Sequence, residues 1–252
     1  MNRRQFLAMS AAVAVTSVGG CLGGDDGEQS DGYGPEPESM PDERSIDTDA
    51  YATKAFDGIE VPLAPIEDVF YWYQRQETRI VDTRGPSSFE DARITGAALS
   101  SAPDGVSDDP VADWSQDDRI VTYCVCPHAM AGQRAAALID DGYENVYALD
   151  EGFQAWIDFG YPIEGAEVEE TSASLPAYHV QGQSDPAYAG EYVSVRTVGA
   201  DKREMSVVDS DGSYELTLHF TGLEPDSLLE VEAPDYTREL TLEELTRDVV
   251  TA

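Results

Sequence analysis

The sequence contains almost no lysine, and Lys54 and Lys202 are the only two. Its 15 Lys and Arg side chains are opposed by 50 Asp and Glu residues, which gives a formal net charge of −35 over 252 residues. A surface of this charge repels nucleic acids, so no nucleic-acid partner is predicted. The acidity fits either a solvated surface with disordered tails or adaptation to very high salt. Because carboxylates are spread through every segment, the second interpretation is favoured.

Cysteine is also scarce. The three cysteines are Cys21, Cys124 and Cys126, which is too few for a disulfide framework. Two of them lie only two positions apart in the folded part of the chain. A pair of thiols so close together calls for a chemical explanation.

The N-terminal segment lacks the length of a membrane span. Its apolar stretch, residues 6–18, is shorter than the ~20 residues that a spanning helix needs. Arg3 and Arg4 precede it as in a twin-arginine export signal, and residues 18–21 resemble a lipobox ending in Cys21. We therefore expect residues 1–21 to be a signal peptide and Cys21 to carry a lipid. The protein would then be exported to the cell surface, anchored to the outer face of the cytoplasmic membrane. The alternative is a weak membrane-anchor helix with an incidental cysteine.

The next segment, residues 22–52, is rich in Gly, Pro, Ser and acidic residues. Such a composition buries too little apolar surface to fold. It predicts an acidic, disordered linker.

Residues 53–166 alternate between helical and strand patterns, which predicts a parallel sheet flanked by helices. The predicted helices cover residues 65–74, 86–92, 129–141 and 152–159, and the predicted strands cover residues 79–82, 96–99, 119–123 and 145–149. Cys124 directly follows the third of these strands. In parallel sheets, ligands bind at the carboxyl ends of the strands.

A thiol between a strand and the first turn of a helix suits nucleophilic chemistry. The helix dipole and its free amides are expected to lower the pKa of the thiol and to hold an anion. The small side chains that follow let backbone amides approach such an anion closely. The candidate substrate-binding residues are His128, Ala129, Met130, Ala131, Gly132 and Arg134. His128 either orients the donor or faces solvent. No metal site and no cofactor are predicted.

Several motifs, in this order and spacing, resemble the rhodanese domain over residues 55–165. They are Asp82-x-Arg84, Phe89, Ile94-x-Gly96-Ala97, Cys124 after "VTY", Gly142-Tyr143, Val146, Gly152-Phe153-x-x-Trp156 and Gly160-Tyr161-Pro162. The resemblance implies a sulfurtransferase whose Cys124 takes a sulfane sulfur from thiosulfate or a similar small anion. The resulting persulfide would pass the sulfur to a thiol or a cyanide-like acceptor. Asp82 and Arg84 would support the active loop.

The loop departs from the family pattern because Arg134 lies on the helix rather than within the loop. Cys126 is either an auxiliary thiol that receives the sulfur or a small loop residue. Two alternatives to sulfur transfer remain, a non-catalytic binding or redox module and a cysteine phosphatase or arsenate reductase. The second needs an arginine six residues after the cysteine, and Met130 stands there.

The chain changes character after residue 166. Residues 167–174 are acidic and predict a linker. Within residues 175–252, residues 176–233 show alternating strands separated by turn signals, and residues 241–250 fit either one short helix or a final strand. Residues 175–252 as a whole predict a small antiparallel, sandwich-like β domain, for which the pattern indicates no partner.

Overall fold

The computed structural model describes residues 30–125, 128–171 and 175–252. The predicted signal peptide with Cys21 lies outside the described residues, as does Cys126. Within the described ranges, no helix is both long enough and apolar enough to cross a bilayer. An α/β domain comes first along the chain and a β domain follows it.

The α/β domain alternates strands and helices much as predicted. In chain order its elements are β1 (Thr53–Phe56), β2 (Ile59–Ala64), α1 (Ile66–Gln74), β3 (Arg79–Asp82), α2 (Pro86–Asp91), β4 (Arg93–Ile94), β5 (Ala98–Leu99), β6 (Arg119–Tyr123), α3 (Ala129–Asp140), β7 (Asn145–Leu149), α4 (Gly152–Asp158), β8 (Ile163–Glu164) and α5 (Val168–Thr171).

The main sheet has the strand order β1-β2-β7-β6-β3-β5, and all its neighbouring pairs are parallel except β1 with β2. The parallel sheet flanked by helices is therefore confirmed, with one antiparallel edge strand added. The β1–β2 hairpin was not predicted. Its two-residue turn is Asp57-Gly58, and both residues have positive φ, as the favoured hairpin turn requires.

The two faces of this sheet carry separate apolar cores. Strand β6 shows the division, because alternate side chains along a strand point to opposite faces. Val121 and Tyr123 pack with α1 and α4 around Trp72 and Trp156. On the other face, Ile120 and Cys124 join the cluster that α3 covers. Strand geometry thus directs the side chain of Cys124 toward α3.

The disordered linker predicted over residues 22–52 is wrong for residues 30–52, which lie against the α/β domain. The Gly32 carbonyl accepts a hydrogen bond from the Ile80 amide at 2.7 Å. The ring of Tyr51 packs edge-on against Trp72, and its hydroxyl donates to Asp68 at 2.8 Å. Few apolar side chains are present, but backbone hydrogen bonds and single aromatic contacts hold the segment in place.

The β domain is the predicted antiparallel, sandwich-like domain. Its elements are β9 (Tyr178–Gln183), β10 (Tyr192–Thr197), β11 (Arg203–Val207), β12 (Ser213–Leu218), β13 (Leu228–Ala233), β14 (Tyr236–Thr241) and α6 (Leu242–Arg247). One sheet has the order β11-β10-β13-β14, and β9 pairs with β12 in a second sheet. Valines and leucines of both sheets and of α6 form one apolar cluster.

The two domains are joined by contacts at β11 and at the turn that precedes it. Met205 of β11 packs in the same apolar cluster as Cys124. Lys202 forms an ion pair with Asp91 at 2.5 Å, and Thr221 donates a hydrogen bond to the same carboxylate at 3.0 Å. The β domain therefore lies on the face of the sheet that carries Cys124.

Candidate functional site

Cys124 lies at the carboxyl end of β6, where the chain leaves the parallel sheet. Only 1% of its surface is exposed. Residues of α3 cover it from the α/β domain, and β11 covers it from the β domain. The strand end, the first turn of α3 and β11 together form the site.

The electrostatic surroundings of the Cys124 thiol act in opposite directions. Burial raises the pKa of the thiol to about 12, and the negative charge of Glu204 adds to this increase. Backbone N–H groups of Ala131, Met130 and His128 lower the pKa, because they donate to the sulfur. The expected stabilisation by helix amides is therefore present, but the expected low pKa is wrong, since burial outweighs the amides.

His128 precedes α3 in a backbone conformation that few non-glycine residues adopt, with φ +90°. Its carbonyl accepts a hydrogen bond from the Gly132 amide at 2.6 Å. Its Nε2 lies 2.7 Å from Oδ1 of Asp150, which follows β7. The side chain is thus held by the neighbouring strand end rather than directed into solvent, and this contact anchors the residue that precedes α3.

Four of the residues predicted to bind substrate, Ala129, Met130, Ala131 and Gly132, form the first turn of α3. Met130 and Ala131 are buried, and Gly132 faces the ring of Phe56, where a Cβ would lie 2.1 Å from a ring carbon. Ala129 begins the helix and is half-buried. These residues offer backbone amides rather than side chains to the site.

The contacts of Arg134 do not fit the substrate-binding role predicted for it. Its guanidinium donates to the Ser100 hydroxyl at 2.8 Å, to the Pro103 carbonyl at 3.2 Å and to Asp109 at 3.1 Å. The side chain is buried and tied to the segment after β5. Since these hydrogen bonds occupy the guanidinium fork, Arg134 positions that segment and is not placed to hold a donor.

Asp82 and Arg84 form a buried ion pair near the base of the loop. Arg84 Nε donates to Oδ1 at 2.9 Å and its Nη2 donates to Oδ2 at 2.6 Å. The Tyr123 hydroxyl donates to the same carboxylate at 2.7 Å and accepts from the Ile94 amide. Because Tyr123 immediately precedes Cys124, this network fixes the end of β6. The geometry therefore supports the loop-supporting role that the motif predicts.

The position of Gly152 gives a physical reason for the glycine in the motif Gly152-Phe153-x-x-Trp156. Its φ is +75°, and a Cβ there would lie 2.5 Å from the Val125 carbonyl oxygen. The next residue, Phe153, donates its amide to the Cys124 carbonyl at 2.9 Å. Only glycine lets the start of α4 approach the backbone of the loop this closely.

Glu204 is the residue of the site that the sequence analysis missed. It is 2% exposed, and burial raises the pKa of its carboxyl to about 8, although the Met205 amide and the charge of Arg84 act to lower it. It lies on β11 and acts on the pKa of Cys124 from the second domain. No sequence signal identifies it, because Cys124 and Arg84 lie 80 and 120 positions earlier in the chain.

The described ranges contain no group of three or more His, Cys, Asp or Glu side chains close enough together to hold a metal ion.

Comparison with known proteins identifies the α/β domain. Residues 71–158 match the family model of the Rhodanese-like domain. Thiosulfate sulfurtransferase GlpE of Pseudomonas putida is 33% identical over 106 residues, which cover 41% of this chain and 90% of that protein. The GlpE of Vibrio cholerae is 31% identical over 94 residues, which cover 37% of this chain and 85% of that protein.

Among solved structures, the rhodanese-like domain of the Alr3790 protein from Anabaena sp. is 23% identical. That match covers 46% of this chain and 89% of the other, with a TM-score of 0.38. The family model spans β6, Cys124 and α3, and a sulfurtransferase is matched over nearly its whole length. This chain therefore belongs to the rhodanese-like family, and its function is sulfurtransferase-like at the level of that family.

Proposed function

We propose that this protein is a sulfurtransferase that carries a sulfane sulfur on Cys124, from thiosulfate or a similar donor to a thiophilic acceptor. The observation that carries the proposal is the group of three backbone amides, from His128, Met130 and Ala131, that donate to the sulfur of Cys124. Amides fixed in this way stabilise the negative charge of a thiolate and, after transfer, of a persulfide.

The reaction has two displacements. The Cys124 thiol gives its proton to water, and the resulting thiolate attacks the sulfane sulfur of thiosulfate. The sulfur–sulfur bond of the donor breaks, and sulfite leaves with the bonding electron pair. An acceptor such as cyanide then attacks the outer sulfur of the persulfide. The bond between the two sulfurs breaks, thiocyanate leaves, and the Cys124 thiolate is regenerated. The chain gains and loses one sulfur atom per cycle and needs no external oxidant.

The charge of Glu204 sets a pH range for the first step. Since the pKa of this carboxyl is raised to about 8 by burial, it is mostly protonated at neutral pH. In that state it no longer opposes the thiolate of Cys124 or the approach of an anionic donor. Above pH 8 the ionised Glu204 repels an anionic donor, so binding of that donor weakens as the pH rises through 8.

The test is transfer from thiosulfate to cyanide, combined with mass spectrometry of the treated protein. We expect a gain of one sulfur atom on the peptide that contains Cys124, and no transfer by Cys124→Ser, because a hydroxyl is a poor nucleophile at neutral pH and cannot form a persulfide. Cys126→Ser serves as the matched control and should keep the first displacement.

Three outcomes would contradict the proposal. If Cys124→Ser kept full activity and Cys126→Ser lost it, the nucleophile would be Cys126 and not Cys124. Activity unaffected by both changes, or no sulfur gain in the wild type, would favour the binding or redox module. Hydrolysis of an aryl phosphate that depends on Cys124 would favour the phosphatase.

A further inference from the structure

A cleft of about 630 Å³ separates the two domains beside the active loop. Thr83, Ala102 and Met130 line it from the α/β domain. Met130 also donates its backbone N–H to the sulfur of Cys124. A small molecule in this cleft would therefore lie against a residue that is in direct contact with the nucleophile.

The wall of the cleft formed by the β domain is a row of four charged residues across four adjacent strands. The strand pairing places Arg203 opposite Arg196, Arg196 opposite Glu230, and Glu230 opposite Glu239. All four line the cleft. Strand alternation puts Arg203 on the same side of β11 as Met205, which packs against the α/β domain. The row thus faces the active loop, with Arg203 at the edge strand.

The charges in this row are not evenly neutralised. Arg196 donates its Nε to Glu230 at 2.8 Å. Within the described parts of the chain, the guanidinium of Arg203 makes no hydrogen bond and no salt bridge, although Glu232 and Arg196 act on its charge. Arg203 is half-buried, and burial lowers its pKa. Like charges directly opposite one another on neighbouring strands are unfavourable, and so is a partly desolvated cation without a partner.

Two arginines of the α/β domain are already paired with carboxylates. Arg84 is bound to Asp82 and Arg134 is bound to Asp109. The remaining cation in the cleft wall, Lys202, is paired with Asp91. In a chain with a net charge of −35, an anionic donor meets long-range repulsion and needs a local positive group to bind.

We propose that Arg203 binds the oxyanion end of the sulfur donor in this cleft, so that the β domain supplies the donor subsite. The substrate class is a sulfane-sulfur donor with a sulfonate or thiosulfonate group, such as thiosulfate. The planar guanidinium fork donates two parallel hydrogen bonds to such a group. This subsite rests on the sulfurtransferase function proposed above, and it assigns that function's anion recognition to the second domain.

The first experiment measures binding without turnover. Thiosulfate and sulfite are titrated calorimetrically into the full chain carrying Cys124→Ser, at one fixed salt concentration. Adding Arg203→Gln should weaken binding about ten- to a hundred-fold, as expected for loss of hydrogen bonds from a charged donor. Arg203→Lys should restore part of the affinity. Arg238→Gln, which removes one positive charge from β14 away from the cleft, is the matched control and should leave the affinity unchanged.

The second experiment uses the chain with its cysteine intact. Arg203→Gln should raise KM for thiosulfate and leave kcat nearly unchanged, because the removed contact is made equally in the ground state and the transition state. Its thermal midpoint should not fall, since the change relieves repulsion from Arg196. A lower midpoint would mean that Arg203 is structural and would overturn the proposal.

The outcomes separate this inference from the proposed function. If the wild type transfers sulfur but Arg203→Gln matches Arg238→Gln in both affinity and KM, the subsite is wrong and the sulfurtransferase stands. If the wild type transfers no sulfur while anion binding still depends on Arg203, the anion site stands and the sulfurtransferase fails.

Discussion

Replacing Glu204 with glutamine should change how the stability of this protein depends on pH. Glu204 is 2% exposed, its charge acts on Cys124 and is acted on by Arg84, and the Met205 amide lies 3.4 Å from its carboxyl oxygen. Burial raises the pKa of this carboxyl from 4.5 to about 8 in the folded chain. The unfolded chain therefore ionises at Glu204 well below the pH at which the folded chain does.

The direction of the effect follows from proton linkage. Between pH 4.5 and 8 the folded state holds one more proton at Glu204 than the unfolded state does, so this residue makes the free energy of unfolding fall as the pH rises. Its contribution is fully present below pH 4.5 and is lost as the pH rises through 8. For a shift to about 8, the loss between pH 5 and pH 8 is about 3 to 4 kcal/mol. A glutamine has no proton to lose and removes this slope.

The assay is chemical denaturation of wild type and Glu204→Gln at pH 5, 6, 7 and 8, in one buffer series at constant high salt. The other acidic residues are common to both chains, so the difference between the two free energies of unfolding isolates Glu204. We expect the free energy of unfolding of Glu204→Gln, taken relative to that of the wild type, to increase by about 1 kcal/mol per pH unit. A difference that stays constant across this range would refute the claim that the folded chain buries Glu204 in its protonated form.

Three further predictions follow from other parts of the molecule. Arg84→Met leaves the buried carboxylate of Asp82 without its ion pair, and we expect a loss of about 3 to 5 kcal/mol in denaturant unfolding; a loss below 1 kcal/mol would contradict the proposed support of β6. The net charge is −35, and the Debye length shrinks from about 30 Å at 0.01 M salt to about 3 Å at 1 M. Because salt screens the repulsion among these charges, the midpoint of thermal unfolding should rise steeply with salt, and an unchanged midpoint would exclude adaptation to high salt. We propose that the protein is exported and lipidated at Cys21; Cys21→Ser should then release it from membranes, and a variant that remains as firmly bound as wild type would place the anchor elsewhere.

The sequence predicted the α/β domain well because its strands are short, continuous apolar runs and its helices begin or end at clear Pro or Gly signals. The bounds of β3, β6 and β7 agree with prediction to the residue. The β1–β2 hairpin was missed because the Asp57-Gly58 turn lies between strands with little alternation in exposure. Strand β14 was missed because most of its side chains are charged or polar and none is fully buried.

The composition of residues 30–52 does not predict how this segment packs. Their Gly, Pro and acidic content predicts disorder, but Gly32 and Gly34 fit against Trp114 and Tyr73 where no larger residue could. Contacts of this kind depend on a surface formed by distant residues. Local sequence therefore carries no sign of them.

The residues near Cys124 also include some that the sequence identified and some that it did not. Cys124, Asp82 and Arg84 lie within one domain and within motifs of fixed spacing, so the sequence identified them. Glu204 acts on Cys124, and Arg203 lines the cleft between the domains, only because the β domain packs on the face of the sheet that carries Cys124. Alternation along β11 indicates that neighbouring residues face opposite sides, but it carries no information about what lies opposite them.

The near-complete burial of Cys124 has a consequence for oxidative chemistry. Susceptibility of a cysteine to peroxide, and to mixed-disulfide formation with another protein, follows its exposure and its thiolate character. Cys124 is 1% exposed, and burial raises the pKa of its thiol to about 12. We therefore expect Cys124 to form mixed disulfides with other proteins slowly and to be over-oxidised to a sulfinic acid slowly. The β domain thus shields this thiol from reagents in the solvent, because Met205 of β11 packs in the same cluster as Cys124.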